Sequence, residues 1–162
     1  MKRRTALILT GMTLLGLAIA SFPQVAFAQS SPMIGTWQLN LSKSKYSPGP
    51  PPRSGTLNIQ ADGQNQKVAL TNTGADGNPT SITFTLVFDG IAHPVTGNPN
   101  FDANADTRVD AYTVIRTRTK AGKLVQTQTV VVSQDGKTLT ATTIGIDANG
   151  RPINTIAVAD KQ

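Results

Sequence analysis

The 162-residue chain has no cysteine and no glutamate, one histidine (His93), one tryptophan (Trp37), two tyrosines and five phenylalanines. Each shortage closes a route. Without cysteine there is no disulfide and no lipid anchor on an N-terminal cysteine, and with one histidine a structural zinc site has no ligand set. No glutamate is present for a paired-carboxylate mechanism. A Gly-x-Ser-x-Gly elbow, a Ser/His/Asp order in a convincing context and a phosphate-cradling glycine loop are missing as well. An enzyme therefore ranks behind a binding module and a structural or envelope-interaction protein, and neither a metal nor any other cofactor is implied. A buried aspartate beside His93 in a cavity would move an enzyme up that order.

Positive charge is scarcer than the formal net charge of +6 suggests. Lys2, Arg3 and Arg4 form a basic start, Ala6 to Ala20 an apolar run, and Ala26-Phe27-Ala28 an A-x-A cleavage site, the three parts of a secretory signal peptide. The apolar run falls short of the roughly 20 residues a spanning helix needs. Residues 1–28 are thus expected to be removed, leaving 29–162 as one exported domain, periplasmic or extracellular, with no stable membrane anchor. That domain keeps 12 of the 15 basic residues against nine aspartates, a net charge of +3. Spread along the chain, this charge does not argue for a nucleic-acid partner. A monomer with one core is expected.

What is abundant is strand-forming. The exported part holds 19 threonines with many valines and isoleucines, and no window combines helical period with caps. Turn pairs recur at Asp62-Gly63, Asp89-Gly90, Ala121-Gly122, Asp135-Gly136 and Asn149-Gly150, with a longer turn over 74–79. The pattern predicts strands at 35–41, 54–61, 66–73, 80–88, 91–95, 107–119, 123–133, 137–146 and 151–159, antiparallel neighbours joined by hairpins. Two longer connections interrupt the rhythm, the proline-rich Ser47–Arg53, read as a rigid connector, and Thr96–Asp106.

Alternation separates the two halves of the domain. Trp37, Leu39 and Leu41 share one face of their strand, as do Leu57 and Ile59, Val68 and Leu70, and Ile82, Phe84, Leu86 and Phe88, so the first four strands each have an apolar side. Later strands mix polar and apolar residues on both faces. A close-packed sandwich needs apolar inner faces from both sheets, whereas a barrel around a partly hydrated lumen does not. The expectation is an all-β, antiparallel, up-and-down barrel of about eight to ten strands, with one greasy and one polar wall.

The segments Gly35-Thr36-Trp37, Lys43-Ser44-Lys45-Tyr46-Ser47-Pro48, His93-Pro94-Val95-Thr96-Gly97-Asn98-Pro99 and Asp135-Gly136-Lys137-Thr138 resemble a group of small secreted bacterial lipocalin-like proteins of unknown function, within the calycin superfamily. The resemblance spans nearly all of 29–162. It implies a barrel in which Gly35 and Trp37 are structural, the indole plugging the floor. Fatty-acid-binding members of the superfamily insert a helical pair where this chain has its proline-rich connector. They also end in an Arg-x-Tyr pair that grips the ligand carboxylate, where this chain has Ala157 and Ala159. Recognition of a fatty acid in that manner is not supported.

The partner expected is a small apolar or amphipathic molecule held in the lumen; the alternative is a filled barrel acting through its outer surface and loops. Candidate lumen residues are Phe84, Leu86, Phe88, His93, Tyr112, Arg116 and Arg118. Tyr112, Val114, Arg116 and Arg118 share a face, so all four point in or all point out. An inward pair of arginines would need aspartate, water or an anionic ligand group. Exposed arginines are the commoner case, which favours the outward arrangement. His93 is more often a hydrogen-bonded loop residue than a ligand or general base in such a context. Asp102, Asn104, Asp106 and Asp110 imitate a calcium loop, but threonines stand at 107 and 113 where glycine and glutamate are needed, and a solvated Asx-rich rim loop is expected instead.

Overall fold

Strand-forming stretches punctuated by glycine turns become, in the computed structural model, one antiparallel sheet of ten strands. The structure describes residues 31–162, so the expected leader lies outside the described residues. The strands are β1 (Gly35–Leu39), β2 (Ser54–Asp62), β3 (Asn65–Thr73), β4 (Pro79–Leu86), β5 (Ala92–Pro94), β6 (Ala103–Arg108), β7 (Thr113–Lys120), β8 (Lys123–Val132), β9 (Thr138–Ile146) and β10 (Pro152–Lys161). Among the described residues the only helix is one 3-10 turn, Leu41–Lys43, capped by the Asn40 side chain.

Ala121 and Gly122, both at positive φ, make a two-residue hairpin turn, with Lys120 and Lys123 paired on either side. Positive φ at both central positions defines the turn whose twist matches that of the flanking strands. One strand expected at 107–119 is in fact two. Asp110 turns the chain without glycine or proline, its Oδ1 accepting a hydrogen bond from the Tyr112 backbone N–H at 2.7 Å. Such an Asx turn is locally sufficient but indistinct in sequence. Residues 103–106, expected in a loop, form most of β6.

Strand order across the sheet is β4-β3-β2-β1-β10-β9-β8-β7-β6-β5. Every consecutive pair is a hydrogen-bonded neighbour except β4 and β5, and the ladder between β1 and β10 joins the chain's two halves. The sheet curls into a barrel left open between β4 and β5. A link of residues 87–91 carries the chain from one free edge to the other, which limits their separation at that end to roughly 22 Å. Further along, the loop after β5 lies beside the edge of β4: a Cβ on Gly97 would sit 3.8 Å from the Ser81 carbonyl oxygen.

The up-and-down course sorts the connections into two ends. The links 63–64, 87–91, 109–112 and 133–137 lie at the end that also holds both termini of the described chain. The proline-rich connector, the 74–78 turn, the 95–102 loop and the turns at 121–122 and 147–151 lie at the other. Met33, Trp37, Ile59, Val68, Leu86, Val114, Val132, Leu139 and Ala159 fill the first end as a continuous apolar core, with Phe88 and Tyr112 packed against it from the links. Trp37 is completely buried, its indole N–H donating to the Met33 carbonyl at 2.9 Å, while the Lys161 ammonium lies 5.0 Å from the ring centroid. Gly35, at φ +140°, leaves room for that lysine, since a Cβ there would meet Lys161 Cε at 2.7 Å.

With no disulfide, the stability of the barrel rests on this floor. Truncation of a core tryptophan removes both its transfer free energy and its packing partners. Trp37→Ala is expected to destabilise the domain by about 3–5 kcal/mol in chemical denaturation, and a loss below about 1 kcal/mol would show that the floor does not depend on the indole.

Candidate functional site

Above the floor the barrel encloses a cavity of about 540 Å³. Its two walls differ because their sequences differ at inward positions. On one side the cross-strand rows Leu57–Leu70–Ile82 and Ile59–Val68–Phe84 present aliphatic and aromatic side chains. On the other, Val114, Val130 and Ala141 continue the floor, and two polar rows lie above them. Asp106, Arg116, Gln128, Thr143 and Thr155 are successive cross-strand partners from β6 to β10, and Asn104, Arg118, Gln126 and Gly145 form the next row toward the mouth.

Direct cross-strand partners face the same side of a sheet, so these rows bring complementary groups together inside. Arg116 Nε donates to Asp106 Oδ1 at 2.7 Å, with both side chains less than a tenth exposed, and Arg116 Nη1 donates to Gln128 Oε1 at 3.0 Å. Arg118 Nη1 donates to Gln126 Oε1 at 3.0 Å and Nη2 to Gln128 Oε1 at 2.9 Å. Gln128 Nε2 passes the network on to Thr143 Oγ1 at 2.9 Å, and Gln126 Nε2 donates to the Ile146 carbonyl at 3.1 Å. Each guanidinium also lies on an aromatic face, Arg116 at 4.7 Å from the Phe84 centroid and Arg118 at 4.5 Å from that of Phe101.

The arginines are not equivalent. Arg116 has a carboxylate; Arg118 has only neutral acceptors, and its buried Nε finds no partner among the described residues. Burial above all, and secondarily the adjacent Arg116 cation, push the Arg118 guanidinium down to about 9, against a smaller opposing effect of Asp106. Arg118 retains some accessible surface and lines the cavity. That surface looks into the lumen, which is why desolvation dominates its titration. Asn104, 2% exposed, likewise leaves both side-chain polar atoms unpartnered.

Tyr46, Pro50 and Pro52 of the connector, Gly74 and Ala75 of the β3–β4 turn, and Asn98 and Phe101 of the β5–β6 loop form the mouth. The loop is fastened at two points. Asn100 Oδ1 accepts from the Ala148 N–H at 2.8 Å, and Asp102 Oδ2 from the Ala121 N–H at 2.9 Å, reaching the β9–β10 and β7–β8 turns. Burial raises the Tyr46 phenol above its usual value, which keeps it neutral.

Of the sequence candidates, Phe84, Leu86, Arg116 and Arg118 line the cavity, and Phe88, His93 and Tyr112 do not. Phe88 lies beyond the end of β4 at φ 54°, where alternation no longer applies, and its ring sits under the Arg108 guanidinium at 4.1 Å. Tyr112 belongs to the β6–β7 turn at the closed end. His93 pairs with Asn104 in register, but on edge strand β5 its ring turns to Asp89, Nε2 to Oδ2 2.9 Å, with both side chains more than a third exposed. The backbone N–H of Ile91, and then His93, hold the Asp89 carboxyl below its usual value. This pair stands outside the lumen.

Two expectations are reversed. The outward orientation favoured for Arg116 and Arg118 gives way to an inward one, because Asp106, Gln126 and Gln128 satisfy charge and donors inside the wall. Asn104 and Asp106, read as part of a solvated rim loop, are buried inward residues of β6. They went unrecognised because β6 inverts the usual pattern, placing small Ala103 and Ala105 outward and polar residues inward. A usable signal was the in-register complement of Asp106 and Arg116 across a four-residue turn. Among the described residues no cluster of three or more His, Cys, Asp or Glu could hold a metal ion.

No protein-family model and no curated protein matches the chain. Among solved structures, the barrel is similar to zebrafish ileal bile acid-binding protein, crystallised with cholic acid, with a TM-score of 0.50 at 15% sequence identity over 82% of this chain and 99% of that one. The protein therefore has a calycin-like β-barrel fold.

A cation taken out of water without a carboxylate partner carries a desolvation cost, of which the hydrogen bonds from Arg118 to Gln126 and Gln128 offset only a part, and apolar replacement of buried charged groups is often stabilising. Arg118→Met is expected to raise the stability of the ligand-free protein by about 1–4 kcal/mol near neutral pH. The cost is fully present below about 9. As pH rises further, toward the unfolded-chain value, the native state sheds the proton first and the wild type gains stability. Denaturant titrations at pH 7 and 10 should show the advantage of the variant shrinking; a gap that widens would contradict this account.

Proposed function

We propose that the protein is an exported binding protein that holds one small apolar or amphipathic molecule in its barrel lumen. The observation that carries this reading is the cavity of about 540 Å³, within the roughly 300–1,000 Å³ range of small-molecule sites. One apolar wall, and a polar wall whose donors converge, suit a ligand with a greasy body and a polar group. The zebrafish protein of like fold was crystallised with cholic acid, which supports use of the lumen by analogy of fold. A filled barrel acting through its surface would lack such a space.

Binding in the lumen is tested by blocking it. The neutral solvatochromic dye Nile red is expected to bind with a fluorescence increase, and Ala157→Phe, which places a ring in the cavity from β10, to weaken that binding at least about tenfold. Unchanged binding in a folded variant would move the site to the outer surface.

Export rests on the basic start, apolar run and Ala26-Phe27-Ala28 motif. Intact-mass measurement of the protein from culture supernatant or periplasm is expected to find a chain beginning at Gln29. Full-length chain retained in the inner membrane would refute it.

A further inference from the structure

We propose that the ligand is an amphipathic anion and that Arg118 is the anchor for its charged group, whereas Arg116 is a structural cation already neutralised by the wall. This inference rests on the lumen-binding reading above and assigns the ligand's class and orientation.

Among the described residues, Arg116 and Arg118 are the only charged ones that line the cavity. Asp106 answers Arg116 at 2.7 Å, so the wall carries one uncompensated positive charge, on Arg118. A guanidinium has five N–H donors; the hydrogen bonds of Arg118 to Gln126 and Gln128 use two of its terminal donors. The remaining donors and the charge are unclaimed. Arg118 lines the cavity while its Nε is closed off, so the spare hydrogens of its terminal nitrogens are the ones an anionic group in the lumen can engage by charge-assisted hydrogen bonds.

Asn104, the direct cross-strand partner of Arg118, is 2% exposed and does not line the cavity, so an anion in the lumen meets the guanidinium and not the amide. The two glutamine carbonyls hold the guanidinium plane in place, and Phe101 covers one aromatic-facing side from the mouth loop. The charged group is thereby oriented before ligand arrives.

Position gives the orientation. Arg118 stands in the row nearest the mouth, above the Arg116 row and the apolar row of Val114, Val130 and Ala141. Opposite lie Leu70, Ile82 and Phe84. The charged head therefore sits near the mouth, and the apolar body descends along the β2–β4 wall toward Trp37. A monoanion such as a carboxylate or sulfonate matches the single surplus charge. Ala157 and Ala159 on β10 offer no polar group deeper in.

Displacement of Nile red by dodecanoate and by dodecanol separates charge from chain. Dodecanoate is expected to displace the dye at a concentration about tenfold or more below that of dodecanol. In Arg118→Gln the two should converge to within about twofold through weakening of dodecanoate alone, the unchanged dodecanol value showing that the variant is folded and its lumen intact. Arg118→Lys should restore part of the difference, and acetate should not displace the dye at comparable concentrations. Equal displacement by both ligands in the wild type, or a preference that survives Arg118→Gln, would overturn the anion inference and leave lumen binding standing. Failure of Nile red and of both ligands to bind would overturn the two together.

Discussion

Two guanidinium groups inside a ten-stranded barrel set the conditions for everything around them. A cation leaves water only where partners are waiting, and here they come from the three neighbouring strands: Asp106 from β6, Gln126 and Gln128 from β8, and Thr143 from β9 behind them. Once these residues face inward, that wall meets the apolar wall opposite through a cation–π contact, Arg116 over Phe84, and not through the close apolar packing that two greasy faces would give. The cavity follows from this mismatch. It is the space between a wall that excludes water and a wall that needs polar company.

The packed core and the mouth of the cavity occupy opposite ends of the molecule. The floor, built on Trp37 and the apolar residues around it, is packed and supplies the hydrophobic burial that a domain without disulfides depends on. The mouth is assembled from loops and turns, which can vary without disturbing the ladder. The up-and-down topology makes this separation automatic, since alternate connections must fall at alternate ends. One register irregularity, between Arg118 and Thr119 on β7 and the facing segment of β8, occurs beside the upper polar row. Gly145 is required there: a side chain would run into the Val125 carbonyl and Gln126.

The β4–β5 opening gives the barrel its particular shape. Both edge strands lack a partner on one side, and β5, with three residues, is short, a common way of making a free edge a poor template for pairing with another chain. The loop after β5 turns back across the mouth and is held to two distant turns by Asn100 and Asp102. The connector before β2 meets it there. The cavity is thus bounded above by irregular chain.

Much of the architecture could be read from residue order alone. Glycine-containing turns at short intervals and period-two alternation over 54–86 are local signals, and a strand needs little beyond its own side chains to show which face is apolar. Trp37 within Gly35-Thr36-Trp37 was legible for the same reason. Phe88 was not, because a single residue at positive φ ends the alternation that would have carried it inward. The faces of β6 and β7 were undecidable locally, since alanine and threonine alternate there with asparagine, aspartate and arginine and neither set is clearly a core. Only pairing settled them. Asp106 comes opposite Arg116, and Gln126 and Gln128 come beside Arg118, through a β6–β7 turn with no glycine and through registers that span three strands. The sequence by itself determined that this chain would alternate, turn and curl into a barrel. The tertiary structure alone decided which polar residues lie inside it, because a buried charge is tolerated or rejected by its neighbours in space and not by its neighbours in the chain.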